Sequence, residues 1–441
     1  MALLGLYISG LEFKNGVSGK KTIQLKHRHW FFIFMAVIFF SVLVKNAYGQ
    51  EALRNSIAGD LAAESRKQAA NSIGYYNLLV GPTAWRFSSG LEMDYNDNVR
   101  LQQQDPEGDF IFRPNLNTQM HWPVTEQNSL DLSLGIGYSA YLKEQDLDQV
   151  YINPGSGLSF DIYIGDFKIN LHDRINITEN AYQNTGTGGN QNLVSLQNTV
   201  GASGMWDLNQ AVAMFGYDHA NYISLSQGQQ QPDSSSENLF ANVGFRVRPE
   251  LLIGLEAGGA LIKYDQSSSQ TTPNAKQWNT GAFGSAQISD YISVRLDAGY
   301  TRYLPDTTSS NSLASDASGF YFQFSLSHRV NQFLDYSMSA GRSTDLQSYG
   351  QPQTYYFARF QPNWNILNKY QISTPFSWQE GTQVYNNAAD YNQYSLGLNV
   401  SRSLTQKLSG GLSYQFVKET SSQSTLNYTV NIVSLNFSYQ F

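Results

Sequence analysis

The stretch Leu130-Asp131-Leu132-Ser133-Leu134-Gly135-Ile136-Gly137-Tyr138-Ser139-Ala140-Tyr141-Leu142 decides the fold. Every second residue is apolar, and apart from Tyr141 the residues between are small or polar. Successive side chains of a strand leave opposite faces, so the pattern describes a ribbon greasy on one side and polar on the other. Such a ribbon is not buried on both faces. A soluble sandwich alternates too, but its strands run about 5–6 residues. This pattern persists through the whole stretch, which suits a strand that must cross a bilayer at a tilt and needs at least roughly 9–11 residues to do so.

The preceding segment repeats the pattern. Phe110, Phe112, Leu116, Met120 and Trp122 share one face, against Arg113, Asn115, Asn117, Gln119 and His121. Further strands are expected over 83–95, 150–164, 167–178, 193–206, 211–225, 238–248, 251–263, 277–288, 291–303, 319–330, 333–342, 353–366, 369–380, 391–402, 407–418 and 427–441. That makes about eighteen; sixteen stays open because 349–360 and 209–222 alternate less cleanly. Short turns at 123–128, 165–166, 207–210, 249–250, 289–290, 331–332, 367–368 and 404–406 alternate with longer loops at 185–192, 227–236 and 307–318. Those loops are rich in Gly, Ser, Asn, Asp and Gln. The expected architecture is an all-β, closed, antiparallel transmembrane β-barrel with short periplasmic turns, longer extracellular loops and both termini periplasmic. Closure is required because an unpaired strand edge in hydrocarbon leaves backbone groups unsatisfied.

Composition agrees. Only 14% of the 441 residues are charged, where about 25% is usual, while 14% are aromatic. The formal charge of −7 and the lack of a basic block beyond the N-terminus give no support to a nucleic-acid partner. The chain has no cysteine, which excludes disulfides, thiol catalysis, cysteine zinc sites and an N-terminal lipid anchor on cysteine. Lys20, Lys21, Lys26 and Arg28 precede an apolar run from Trp30 to Val44, followed by Ala47-Tyr48-Gly49 and Gln50. That order reads as a signal peptide over 1–49, cleaved after Gly49. Residues 50–82 read as a periplasmic lead-in, partly helical because Leu53, Ile57 and Leu61 are spaced four apart. The barrel then spans 83–441.

The chain ends with Val433, Leu435, Phe437, Tyr439 and Phe441 on one face, against Ser434, Asn436, Ser438 and Gln440. This resembles the C-terminal assembly signal of bacterial outer-membrane proteins, which implies handling by the barrel assembly machinery. It is expected to close the barrel against the strand beginning near Thr83. The stretch Gly90 to Leu101, containing Tyr95-Asn96-Asp97-Asn98-Val99, and the Asp109-Phe110 strand after it resemble the first strand and loop of the β-barrel porin type 2 families. That resemblance implies a porin-like or envelope-export barrel and names no substrate.

A barrel of 16–18 strands leaves an aqueous channel. Projecting the polar positions inward gives the expected pore-lining set: Arg86, Glu92, Asp94, Arg113, Asp131, Asp161, Lys168, His172, Arg174, Arg246, Arg248, Glu256, Arg295, Asp297, Arg329, Asp335 and Arg359. Such charges either segregate across a constriction, making a transverse field, or pair between neighbouring strands and keep the interior hydrated. Trp122, Trp206, Tyr291, Phe333, Trp364 and Tyr370 fit an interfacial girdle on the short-turn side. A sugar-stacking slide would draw on Tyr141, Tyr163, Tyr303 and Tyr321. His121, His172, His219 and His328 are the histidines beyond the leader, and no Gly-x-Ser-x-Gly element accompanies them, so no catalytic site is read. Neither cofactor nor metal is expected, although Asp94 with Asp97, or Asp146 with Asp148, are the carboxylate pairs that most resemble weak calcium ligands.

The expected function is an outer-membrane channel for passive diffusion of small polar solutes. The alternatives are an export barrel for an envelope or secreted polysaccharide and a structural or adhesive barrel. Expected partners are outer-membrane lipid, lipopolysaccharide, the assembly machinery and small polar solutes or saccharides; oligomeric state is not legible. The facing pattern predicts that Leu134→Arg destabilises the barrel by about 2–4 kcal/mol while Ser133→Arg is tolerated. Denaturant unfolding in lipid vesicles measures both, and equal losses would reverse the assignment of faces.

Overall fold

The computed structural model describes residues 76–178, 194–225, 233–265, 273–306, 317–346, 352–367, 369–383 and 389–441. The expected signal peptide, the lead-in as far as residue 75, the loop 185–192 and most of the loops expected at 227–236 and 307–318 lie outside them. Eighteen barrel strands follow one another in chain order. They are β1 (Thr83–Asn96), β2 (Asp109–Pro123), β3 (Ser129–Tyr141), β4 (Gln149–Ile152 and Gly157–Ile164), β5 (Phe167–Thr178) and β6 (Ser195–Asp207). Next come β7 (Ala211–Ser224), β8 (Ser234–Arg248), β9 (Leu251–Tyr264), β10 (Ala275–Ser289), β11 (Ile292–Pro305) and β12 (Ala317–Arg329). The last are β13 (Leu334–Leu346), β14 (Pro352–Ile366), β15 (Tyr370–Ser373 and Phe376–Gln383), β16 (Ala389–Ser403), β17 (Leu408–Ser421) and β18 (Tyr428–Gln440). Each pairs antiparallel with its chain neighbours, and β18 returns to β1. Strand boundaries reach further than the alternation suggested: β8 begins at Ser234 and β12 at Ala317, so both preceding loops are shorter than expected.

Two strands carry breaks that alternation alone did not reveal. In β4 the chain leaves the ladder at Asn153 to Ser156, where Gly155 takes φ +93°, a conformation that favours glycine. The backbone stays satisfied there, because Asn153 N–H donates to the Gly135 carbonyl (2.8 Å) and Ile175 N–H to the Ser156 carbonyl (3.1 Å). In β15 the break falls at Thr374-Pro375, where proline has no N–H to give, and the Gly397 N–H finds the Pro375 carbonyl at 2.8 Å.

One face of the ring is apolar and exposed. Leu255, Leu239, Phe245 and Leu412 keep more than half of their surface accessible, as side chains that meet lipid rather than a protein core must. The opposite face holds buried polar groups such as Asp94, Glu256, Asn279 and Glu419. Among the described residues no helix is long and apolar enough to cross a membrane.

The seam joins Ser88 opposite Gln440 through Asn96 opposite Ile432. Beyond the last paired residues, side chains continue it at both ends. At the long-loop end the Asp97 carboxylate accepts from the Asn431 N–H and from the Asn431 Nδ2 amide, both at 2.7 Å. The Asn98 amide donates to the Thr429 carbonyl (3.0 Å) and to the Gln102 carbonyl (2.7 Å). Leu101 then packs with Val417, Tyr428, Val430 and Ile432. At the short-turn end the Asn77 side chain donates to the Phe87 carbonyl and to the Phe441 carbonyl, and accepts from the Phe87 N–H. Asp97→Ala removes two charge-assisted bonds and should lower stability by about 1.5–3 kcal/mol each at most, with partial rather than additive loss when combined with Asn431→Ala. The shift of folded to unfolded mobility on gels at rising temperature reads this out; an unchanged transition would deny Asp97 its role at the seam.

Candidate functional site: the barrel lumen

Register propagates one face around the ring. Glu92 lies opposite Arg113, His121 opposite Asp131, Asp161 opposite Asn170 and His172 opposite Gly201. Continuing round, Asn242 faces Glu256, Ser285 faces Arg295, Arg329 faces Asp335 and Arg359 faces Ser377. The circuit closes with Glu92 opposite Asn436 and Asp94 opposite Ser434. Arg86, Lys168, Arg174, Arg246 and Asp297 fall on the same face by the same count. Arg248 does not. A register shift between Arg246 and Arg248 moves it to the turn opposite Leu251, where it is exposed.

Most of these charges are matched within the wall. Arg113 forms an ion pair with Asp94, whose side chain is almost wholly buried. Lys168 Nζ lies 3.5 Å from Asp161 Oδ2, and Arg246 Nη1 2.7 Å from Asp207 Oδ1. Arg295 Nη2 reaches Asp297 Oδ1 at 2.6 Å and Glu256 Oε2 at 3.9 Å, while the Tyr321 hydroxyl donates to Glu256 Oε1 at 2.6 Å. His121 Nδ1 sits 2.6 Å from Asp131, and His172 bridges Asn170 and Asp218, each at 2.9 Å. This is the pairing arrangement rather than a segregated one. A cation taken from water is tolerated on a low-dielectric wall when its partner is adjacent.

Asp218 and Glu419 were not legible as members of this face. Asp218 lies in the segment that alternates weakly, and Glu419 falls one residue past the expected end of its strand. In the structure Glu419 accepts from Gln393 Nε2 at 3.1 Å, and the same nitrogen donates to the Tyr428 hydroxyl at 3.0 Å.

The two halves of the lumen differ. Toward the long loops the inner positions are buried: Gln277, Asn279, Thr301 and Tyr303 on β10 and β11, Tyr355 and Phe357 on β14, Tyr391 on β16, and Val417 and Val430 on β17 and β18. Tyr303 is 2% exposed and packs with Ala260, Ile262, Tyr264 and Ala275. With Tyr321 equally enclosed, these two rings offer no face for sugar stacking. Toward the short turns the wall is open. There a concavity of about 490 Å³ is lined by Ser285, Ser293, Arg295, Ser325, Ser327, Ser337, Ser339, Arg359, Gln361, Ser377 and Ser395, with the backbone and neighbouring apolar residues of β11 to β15. Arg359 lies over the Phe357 ring at 5.1 Å, and Arg295 over the Phe283 ring at 4.8 Å. No acidic side chain lines it.

The remaining expectations resolve locally. Trp122, Tyr291 and Phe333 are exposed at the short-turn end, and Trp206, Trp364 and Tyr370 occupy outer-face positions beside them. His219 lies 3.0 Å from Glu237, and His328 3.0 Å from the Tyr336 hydroxyl, neither beside a nucleophile. The candidate calcium carboxylates are engaged otherwise: Asp94 with Arg113, Asp97 with Asn431, Asp146 with Arg100, and Asp148 with the Tyr141 N–H. Among the described residues no group of three metal-ligating side chains converges.

No protein-family model and no curated sequence matches the chain. Among solved structures it is similar to Pseudomonas aeruginosa OccK2 (OpdF), crystallised in complex with glucuronate, at 9% identity, covering 81% of this chain and 98% of that one with a TM-score of 0.47. It is similar also to Pseudomonas aeruginosa OpdQ (9% identity, 82% and 99% covered, TM-score 0.47) and to Acinetobacter baumannii OccAB3 (10%, 81% and 99%, 0.46). The assignment of architecture rests on the strand register. The Tyr95-Asn96-Asp97-Asn98 element behind the resemblance to the β-barrel porin type 2 families acts in this chain as the latch of the seam.

Arg113→Ala would strand the Asp94 carboxylate on the inner wall and should cost about 3–5 kcal/mol, whereas replacing both partners by serine should cost much less. Urea unfolding of the refolded barrel in vesicles compares the two; a double change as damaging as the single one would count against pairing as the reason for these charges.

Proposed function

We propose that this chain is an outer-membrane channel through which small polar solutes diffuse. The observation that carries the reading is a closed ring of eighteen strands with a polar inner face and a hydroxyl-rich concavity opening toward the short turns. Rings of that size exceed what side chains alone fill, and water can occupy the remainder. Serine hydroxyls donate and accept with little steric demand, so they exchange readily with the hydration shell of a passing solute. Arg295, held by Asp297 and Glu256 behind it, and Arg359 present guanidinium donors among the serine hydroxyls of this lining, which suits hydroxylated solutes. The buried polar and aromatic side chains of the long-loop half form the narrow part of the path, and the charge pair Asp94–Arg113 belongs to its wall, while Asp161–Lys168 lies beside the short turn at 165–166.

The same reading places the apolar outer face against lipid and lipopolysaccharide, the long loops outside and the termini in the periplasm. Residues 1–49 serve as the export signal. Val433, Leu435, Phe437, Tyr439 and Phe441, all on the outer face, present the assembly signal to the insertion machinery. No catalytic role is assigned to any residue.

Purified protein in planar bilayers should show discrete open conductance steps. Arg295→Ser with Arg359→Ser should shift the reversal potential in a salt gradient toward cation preference. A barrel that stays non-conducting would overturn the reading, and loss of exopolysaccharide without loss of solute uptake in a deletion strain would replace it with export.

A further inference from the structure

By register the outer face of the eighteen strands carries few charges, and their positions are not random. Among the described residues every outer-face Asp, Glu, Lys or Arg on these strands except one, Glu237 and Arg342 included, lies within four residues of a strand end. Asp173 is the exception. It stands five residues from Thr178 and six from Phe167, opposite Leu158 on β4 and Val200 on β6, both exposed outer residues. At roughly 3.3 Å per residue and a tilt of about 40° it lies about 15 Å above the short-turn end, inside an apolar band about 25 Å tall. Asp173 is exposed, and among the described residues its carboxylate takes one hydrogen bond, from the Asn198 amide at 2.7 Å.

A carboxylate on the lipid face costs most at that depth, because hydrocarbon supplies no donor. Donors do stand two strands away on β7. His219 lies in one row with Val200 and Asp173, and Asn221 sits opposite Asn198 two residues nearer the long loops. His219 meets Glu237 through Nδ1, and the Asn221 side chain has no partner among the described residues. At about 4.8 Å per strand, β7 is too far round the wall for either group to reach its own Asp173. Between the acceptor strand and the donor strand, β6 turns Val200 and Ala202 outward, with Gly204 beneath the stacked rings of Phe167 and Phe215, whose centroids are 5.8 Å apart.

We propose that this face pairs with a second copy of the chain, about a two-fold axis that passes Val200 and runs parallel to the barrel axis. Two barrels inserted in the same direction and related by such an axis meet with their strand order reversed, so β5 of each lies against β7 of the other. The Asp173 carboxylate of one copy is thereby offered His219 and Asn221 of the other, and the exchange occurs twice. Small side chains at the axis let two convex walls approach closely. A lipid phosphate is repelled by Asp173 and Glu237, and an alkyl chain leaves the carboxylate unmatched. A second copy removes both objections. The pairing rests on the outer face meeting lipid and is independent of conduction through the lumen.

The chain has no cysteine, so single cysteines report the contact in the full barrel in vesicles. On oxidation Val200→Cys should link to itself across the axis and double the mass on non-reducing gels. Leu412→Cys, also exposed but on β17 across the ring, should not. Asp173→Leu in the Val200→Cys background should abolish the doubled species while heat-modified mobility still shows a folded barrel. Light scattering in mild detergent should fall from two chains to one with the same change. Equal crosslinking at positions 200 and 412, a single-chain mass for the unaltered protein, or a dimer that survives Asp173→Leu would each overturn the proposal. So would a three-chain ring, whose head-to-tail contacts never set Val200 against itself. Conductance measured on the same preparations tests the channel separately.

Discussion

Closure is the constraint on which everything else rests. A strand edge cannot face hydrocarbon with its amides and carbonyls unpaired, so the first and last strands must meet in register. Here they do, and the meeting is reinforced past its ends by Asp97 and Asn98 on one side and by Asn77 on the other. Both devices use amide or carboxylate side chains to imitate a ladder, because backbone that is turning into a loop can no longer supply one. The last strand therefore acts as a structural seam, whatever part it plays in targeting.

Once the ring is closed, register does the rest. A one-residue slip anywhere would exchange the lipid-facing and lumen-facing sets. Among the described residues the structure absorbs extra residues at Asn153 to Ser156, at Thr374-Pro375, near Arg248 and between Gln287 and Ser289, and the faces resume their assignment beyond the first two. The outcome is a continuous polar inner face whose charges are largely matched between neighbours.

The inner face is not uniform along its length. Large polar and aromatic side chains crowd the half beneath the long loops, while serines line the half above the short turns. Bulk decides this difference: Tyr303, Tyr355, Phe357 and Tyr391 occupy space that Ser293, Ser327 and Ser377 leave to solvent.

Alternation over Leu130 to Leu142 and its counterparts pointed to about eighteen strands, with sixteen left open, and to the first strand as the closing partner of the last. Those follow from a period of two and from the length a membrane demands, both local properties of the chain. Because register preserves parity, the charged and histidine positions expected on one face, Arg248 apart, fall on one face of the ladder. What only the tertiary structure decided was who meets whom. The Tyr95-Asn96-Asp97-Asn98 element reads as a family-like motif until Asn431, more than three hundred residues away, is brought against it. Asp218 and Glu419 join the wall network only through His172 and Gln393 on neighbouring strands. The crowding of one half of the lumen depends on side chains gathered from strands far apart in sequence, which no local period encodes.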